Sequence, residues 1–272
     1  DVTYLPVDKN GFVDPRQVEE SITDETVLIT IMMANNEIGT IQPIAEIGQI
    51  AQDHNIYFHT DAVQAIGQIP VDVNKLNLHL LSLSAHKFNG PKGVGALYVR
   101  RGVKMVSQMS GGAQEEKRRA STENVPGIIG LGKAAEIAAA KRPRKQERLT
   151  DLRDRLINGI EESVDDVILN GPRGEHRLPN NVSFCFRYIE GESILLNLDM
   201  HGIAASSGSA CTSGSLDPSH VLLALGLSHE VAHGSVRLSF GVNNDRQHVD
   251  QVLEELPGII QKLRDMSPLY GD

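Results

Sequence analysis

Residues 81–93 read LSLSAHKFNGPKG, and residues 58–64 read FHTDAVQ. In the first stretch an alternating run ends in Ser84, His86 and Lys87, before a turn punctuated by Gly90 and Gly93. In the second, Asp61 closes a short strand pattern. Open α/β sheets place their ligands outside the carboxyl ends of their strands. Two neighbouring strand ends would therefore present an acid and an amine to one crevice.

The surrounding chain supports such a sheet. Residues 26–34, TVLITIMMA, are apolar and rich in branched side chains, which predicts an interior strand buried on both faces. Pro43 starts a helix with Ile44, Ile47, Ile50 and Ala51 on one side. Ile56–His59, Leu80–Ser84 and Gly95–Arg100 read as further strands. Strands alternating with helices predict an α/β layer with a mainly parallel sheet.

From Val125 to about Ser163 the spacing is helical, interrupted by KRPRK around Pro143. Proline lacks the N–H that a helix interior needs, so a kink or break is expected there. The chain accordingly divides into a large domain, 1–143, and a smaller α+β domain, 144–272. In the latter, Asn181–Phe186 alternates like a half-buried strand, Gly191–His201 is helical, and Gly234–Phe240 is a strand. Val249, Val252, Leu253, Leu256, Ile259, Ile260 and Leu263 mark a final amphipathic helix that Pro257 should kink.

Composition narrows the class of function. A net charge of −9 argues against a general nucleic-acid binder. No stretch approaches the ~18 apolar residues of a membrane span. Two cysteines, Cys185 and Cys211, are too few for a disulfide framework or an all-cysteine metal site, so a reducing, cytoplasmic setting is expected, and no metal. Residues 1–12 lack the pattern of a secretory signal.

Singly, each residue at the strand ends has an ordinary reading. A lysine after a strand is usually solvated, and an aspartate there usually caps a turn. Together they match what pyridoxal 5′-phosphate requires: a lysine for a Schiff base and an acid opposite the pyridine nitrogen.

The runs NNEIGTIQP, HTDAVQ, SAHKFNGPKG and SSGSACTSGS occur in that order, followed by GSVRLSFG. On these the chain resembles the cysteine desulfurases of the NifS/IscS-like class, fold-type I pyridoxal-phosphate enzymes. The resemblance implies that Lys87 forms the Schiff base and Asp61 meets the ring nitrogen. It implies that Asn36 and Gln64 contact the ring oxygen, with Asn36 also near substrate, and that Ser84 and His86 help hold the phosphate. Thr122 would reach the phosphate of a partner subunit, making a homodimer part of the site. The family's usual Arg-Ser-Gly-Thr reads Arg119-Ala120-Ser121-Thr122 here, so a turn that favours glycine carries serine.

Residues 206–215, SSGSACTSGS, cannot pack a core and carry one thiol, Cys211. By resemblance this is the sulfur acceptor in turning L-cysteine into L-alanine, with the persulfide passed to an iron–sulfur scaffold or another acceptor protein. His86 would assist a proton transfer. Cys185, within NVSFCF, reads as a small buried hydrophobe. Arg237 stands mid-strand, where a charge needs a partner. An ordinary ion pair would suffice, while the resemblance assigns it the substrate carboxylate.

The resemblance also implies a preceding segment, with a Gly/Thr turn and a ring-stacking histidine, that has no counterpart here. The alternatives are therefore a truncated, non-catalytic partner protein of the same fold, a selenocysteine lyase, or an aminotransferase, the last disfavoured by the Cys211 segment.

Overall fold

A computed structural model describes residues 1–207 and 217–270. Its elements in chain order begin with α1 (Pro15–Glu20), β1 (Leu28–Thr30), α2 (Ile44–Asp53), β2 (Tyr57–Asp61), β3 (Leu80–Ser84) and β4 (Gly95–Val99). A short turn, α3 (Gln114–Lys117), and the long α4 (Val125–Ser163) follow. Then come β5 (Val167–Leu169), β6 (Asn181–Phe186), α5 (Gly191–Met200), α6 (His220–Ala224), α7 (His229–His233), β7 (Ser235–Ser239) and α8 (Arg246–Asp265).

The described residues form two compact units. One comprises Glu19–Met33 and Pro43–Pro143; the other comprises Asp1–Val18, Ala34–Gln42 and Arg144–Asp272. The division falls after Pro143, but the first 18 residues and Ala34–Gln42 belong with the C-terminal part rather than with the stretch around Lys87.

The first unit holds a sheet in the order β1-β2-β3-β4, with the first three strands parallel and β4 antiparallel to β3. On one face Ile29, Phe58, Thr60 and Leu81 are buried, and α2 packs against β2. The apolar stripe of α2, Ile44, Ile47 and Ala51, explains that contact. The expectation of an interior, doubly buried strand over residues 26–34 is corrected. Among the described residues β1 has three residues, lies at the sheet edge, and leaves Leu28 45 % exposed. A run of branched residues favours the extended backbone, but it does not say which faces are covered.

The second unit is built on a three-stranded antiparallel sheet, β5-β6-β7. Its core joins Leu149, Leu152, Leu156 and Ile160 of α4 to Val182, Phe184 and Phe186 of β6 and to Val249, Val252, Leu256 and Ile260 of α8. β6 is not half-buried as its alternation predicts; all six residues are buried. The physical reason is a second apolar layer. Cys185, on the opposite face, packs with Ile38, Leu222 and Ala232.

Both proline expectations are softened. α4 continues through Pro143 and α8 through Pro257 as single helices. Packing of the apolar stripes on either side outweighs the one hydrogen bond each proline removes.

Two arginines sit inside the second unit, each 1 % exposed. Arg177 donates from Nε to the Pro172 carbonyl at 2.6 Å, from Nη1 to Asn181 Oδ1 at 2.8 Å, and from Nη2 to the Asn170 carbonyl. Arg153 donates to the Arg177 carbonyl at 2.8 Å. A buried guanidinium is tolerable when its fork of donors is matched in this way.

Candidate active site

In the first unit the parallel pairing of β2 with β3 sets Asp61 opposite Ser82. Both strands point their carboxyl ends the same way, at the spacing of ~4.8 Å between hydrogen-bonded neighbours. Two residues beyond Ser82, β3 ends and passes into a 3-10 turn, Ala85–Phe88. Positions three apart eclipse in such a turn. Ala85 and Phe88 are accordingly buried, against Ala134 of α4, while His86 and Lys87 between them are exposed. The apolar pair thus fixes the turn that presents the lysine.

Asn89 closes the turn in the left-handed region, φ 67°, a conformation asparagine tolerates. At Gly90 a Cβ would sit 2.9 Å from the Ala85 Cβ and 3.2 Å from that of Ala134. Glycine is required there so that α4 can approach.

The polar groups are ordered among themselves. Asp61 Oδ1 accepts the Val63 amide at 2.8 Å. Ser84 Oγ lies 2.9 Å from His86 Nδ1. Gln64, in the turn after β2, is half-buried, and Thr122 is exposed just before α4. Ser121 beside it has φ 89°, so the serine does stand where glycine would be at ease.

Sequence reasoning missed His59, two residues before Asp61 on the same sheet face. Its ring nitrogens lie 2.7 Å from Thr30 Oγ1 and 2.8 Å from Ser82 Oγ. Burial lowers its pKa, and the Asp61 charge pulls it partly back. The period-two alternation of FHTD was the available signal.

Asn36 and Arg237 belong to the second unit. Arg237 Nη1 donates to the Asn36 carbonyl at 2.8 Å and Nη2 to Ser206 Oγ at 3.1 Å. Its Nε is buried and has no hydrogen-bond partner among the described residues. Among the described residues its hydrogen bonds thus go to a carbonyl and a hydroxyl, while the Glu37 carboxyl adds a charge interaction. Cys211 lies outside the described residues.

The donor set fits pyridoxal phosphate on chemical grounds: an exposed amine at Lys87, a carboxylate at Asp61 with one oxygen committed to Val63, and hydroxyl and imidazole donors at Ser84 and His86. No group of His, Cys, Asp and Glu suited to a metal ion occurs among the described residues.

Residues 1–252 match the family model described as aminotransferase class-V. The chain belongs to the class-V aminotransferase family. Its relatives within that family include the cysteine desulfurase IscS of Clostridium botulinum, 60 % identical over all 272 residues, of which the chain covers 68 %. The cysteine desulfurase IscS of Methanosarcina thermophila is 61 % identical over 269 residues, 99 % of this chain and 66 % of that one. Among solved structures of this class-V group, a NifS-like protein superposes with a TM-score of 0.87 at 37 % identity, covering 97 % of this chain and 69 % of that one. The NifS-like protein from Rickettsia africae gives 0.86 at 30 % identity, covering 94 % and 69 %. The class-V fold is thus that of fold-type I pyridoxal-phosphate enzymes, an α/β sheet with three parallel strands here and a smaller α+β part.

Proposed function

We propose that the chain is a cysteine desulfurase that converts L-cysteine to L-alanine and hands the sulfur on as a persulfide for iron–sulfur cluster assembly. The observation that carries this reading is 60 % identity over the whole chain to cysteine desulfurases, joined to the acid and amine at neighbouring ends of β2 and β3.

Bound pyridoxal phosphate supplies an electron sink for the charge released at the substrate α-carbon. Lys87 would hold the cofactor through Nζ and would also serve as the base that moves the substrate α-proton. Asp61 would keep the ring nitrogen protonated through the oxygen that does not bond the Val63 amide. Asn36 and Gln64 serve the ring oxygen, and Ser84 and His86 the phosphate. Arg237 would take the substrate carboxylate, its Nε being a buried donor with no hydrogen-bond partner among the described residues.

The thiolate of Cys211 attacks the substrate sulfur. The S–S bond forms as the C–S bond breaks, and the carbon fragment takes up a proton and leaves as alanine. The balance is L-cysteine plus thiol giving L-alanine plus persulfide. A homodimer in which Thr122 reaches the neighbouring phosphate, and a cytoplasmic setting, complete the reading. No helix among the described residues is long and apolar enough to cross a membrane.

The test is to supply the chain with pyridoxal phosphate and L-cysteine and to quantify alanine and protein-bound persulfide. Equal amounts of the two in a single turnover are expected. Alanine without persulfide, or no reaction while selenocysteine is consumed, would refute the assignment.

A further inference from the structure

We propose that Glu37 is a positioning residue of sulfur transfer, its carboxyl holding through the Ser219 hydroxyl the chain that follows Cys211 in sequence; this rests on the desulfurase reading above.

Glu37 is buried, 6 % exposed, in the run NNEIGTIQP, where no role in cofactor or substrate binding falls to it. Its backbone is fixed from both sides. The Glu37 amide donates to Asn35 Oδ1 at 2.8 Å, and its carbonyl accepts Asn181 Nδ2 at 3.0 Å. The side chain therefore has a set direction, and it ends on Ser219 Oγ at 2.5 Å, 182 residues away.

Ser219 is the N-cap of α6. Its hydroxyl oxygen accepts the Val221 amide at 3.1 Å while its proton goes to Glu37. One hydroxyl is thus used twice, once to start the helix and once to tie that helix start to the Glu37 turn. Leu222 of α6 then packs with Ile38, the next residue after Glu37.

The chain that precedes Cys211 in sequence is tied to the same short turn. Ser206 pairs with Arg237 through the backbone at 3.1 and 2.6 Å, and Arg237 Nη1 holds the Asn36 carbonyl at 2.8 Å. Adjacent residues Asn36 and Glu37 therefore reach, through Arg237 and Ser219, the two points that bracket Cys211 in sequence. The charged groups facing the Glu37 carboxyl are His220 and Arg237. Burial raises its pKa against the opposing pull of Ser219, His220 and Arg237. A carboxyl so placed serves as a hydrogen-bonding anchor for Ser219.

The experiment compares Glu37→Ala, Glu37→Gln and Ser219→Ala in the cofactor-loaded chain. Persulfide formation on Cys211 is followed in a single turnover, alongside the KM for cysteine, the cofactor absorbance and the rate of iodoacetamide alkylation of Cys211. Glu37→Ala and Ser219→Ala should each change both Cys211 rates, slowing persulfide formation about tenfold, the worth of one buried hydrogen bond. Absorbance and KM should stay put. Glu37→Gln keeps an acceptor for Ser219 and should restore most of the rate. Should Glu37→Ala not fold, Ser219→Ala removes the same bond from the other side. Wild-type rates in Ser219→Ala, or Glu37→Gln as damaged as Glu37→Ala, would overturn the proposal. A wild-type chain that makes no persulfide counts against the desulfurase reading instead, and the alkylation rates still decide the role of Glu37.

Discussion

Asp61 Oδ1 accepts the Val63 amide at 2.8 Å, so one oxygen of the carboxylate is committed to the turn after β2, and the proposed function rests on the other. Asparagine can supply the same carbonyl oxygen to Val63. Asp61→Asn should therefore fold and take up cofactor much as the parent does, while losing the charge that keeps a ring nitrogen protonated. Turnover should drop by about a hundredfold, the usual scale for removing one aimed electrostatic contact. Cofactor content measured after acid release, set beside turnover, checks this; parallel losses in both would contradict it.

Lys87 is exposed between two buried residues of a 3-10 turn, which makes its side chain replaceable without disturbing the packing. Lys87→Ala should melt at the parent temperature, show no visible absorbance from lysine-bound cofactor and give no borohydride adduct. A borohydride-fixed cofactor mapped by mass spectrometry to any other lysine removes Lys87 from its role.

Cys185 gives a prediction with a pH sign. Burial pushes its thiol up to about 11, against the Asn170 hydrogen bond that opposes the shift. Above pH 9 the unfolded chain ionises this thiol while the folded chain does not, so stability should fall as pH rises from about 9 to about 11, by about 3 kcal/mol at most. Cys185→Ser should lose that dependence and keep persulfide formation, whereas Cys211→Ser should bind cysteine and form none. Denaturant titrations at pH 8 and pH 10.5 measure the first effect. A persulfide located on Cys185 would reverse the assignment.

Ser121 holds φ 89°, where a side chain is strained. Ser121→Gly should raise stability by roughly 0.5–1 kcal/mol, the relief of strain less the added entropy of the unfolded chain. Thermal unfolding of the two chains side by side gives the answer. A lower melting temperature for the glycine variant would mean that the serine side chain contributes more than its backbone strain removes.

What the sequence made legible follows from range. Asp61 and Lys87 each end a local strand pattern, and parallel neighbours bring such ends together without further information. The serine at 121 stood out because glycine adopts positive φ more readily than any other residue. Burial was less readable. The same alternation that predicts a half-buried β6 is compatible with two apolar layers, and the second layer comes from Ile38, Leu222 and Ala232, far away in the chain. β1 erred the other way, because an apolar run records what could be covered rather than what is. Arg237 was rightly read as needing partners, yet those partners are a carbonyl and a hydroxyl that composition cannot point to. Glu37 was passed over because nothing near it in sequence distinguishes a buried glutamate from a solvated one.

The buried Arg177 bears on how this chain can drift over generations. Its fork divides its donors among Pro172, Asn170 and Asn181, three stations along one loop and strand. Lysine, the exchange that substitution tables rate mildest, offers a single point from which three donors radiate, and cannot reach those stations together. Methionine would fill the volume and strand every carbonyl. The position can change without harm only if its neighbours change with it. A gene library that randomises one codon at a time should therefore find residue 177 nearly as closed as Lys87, although no part of the proposed chemistry falls to it.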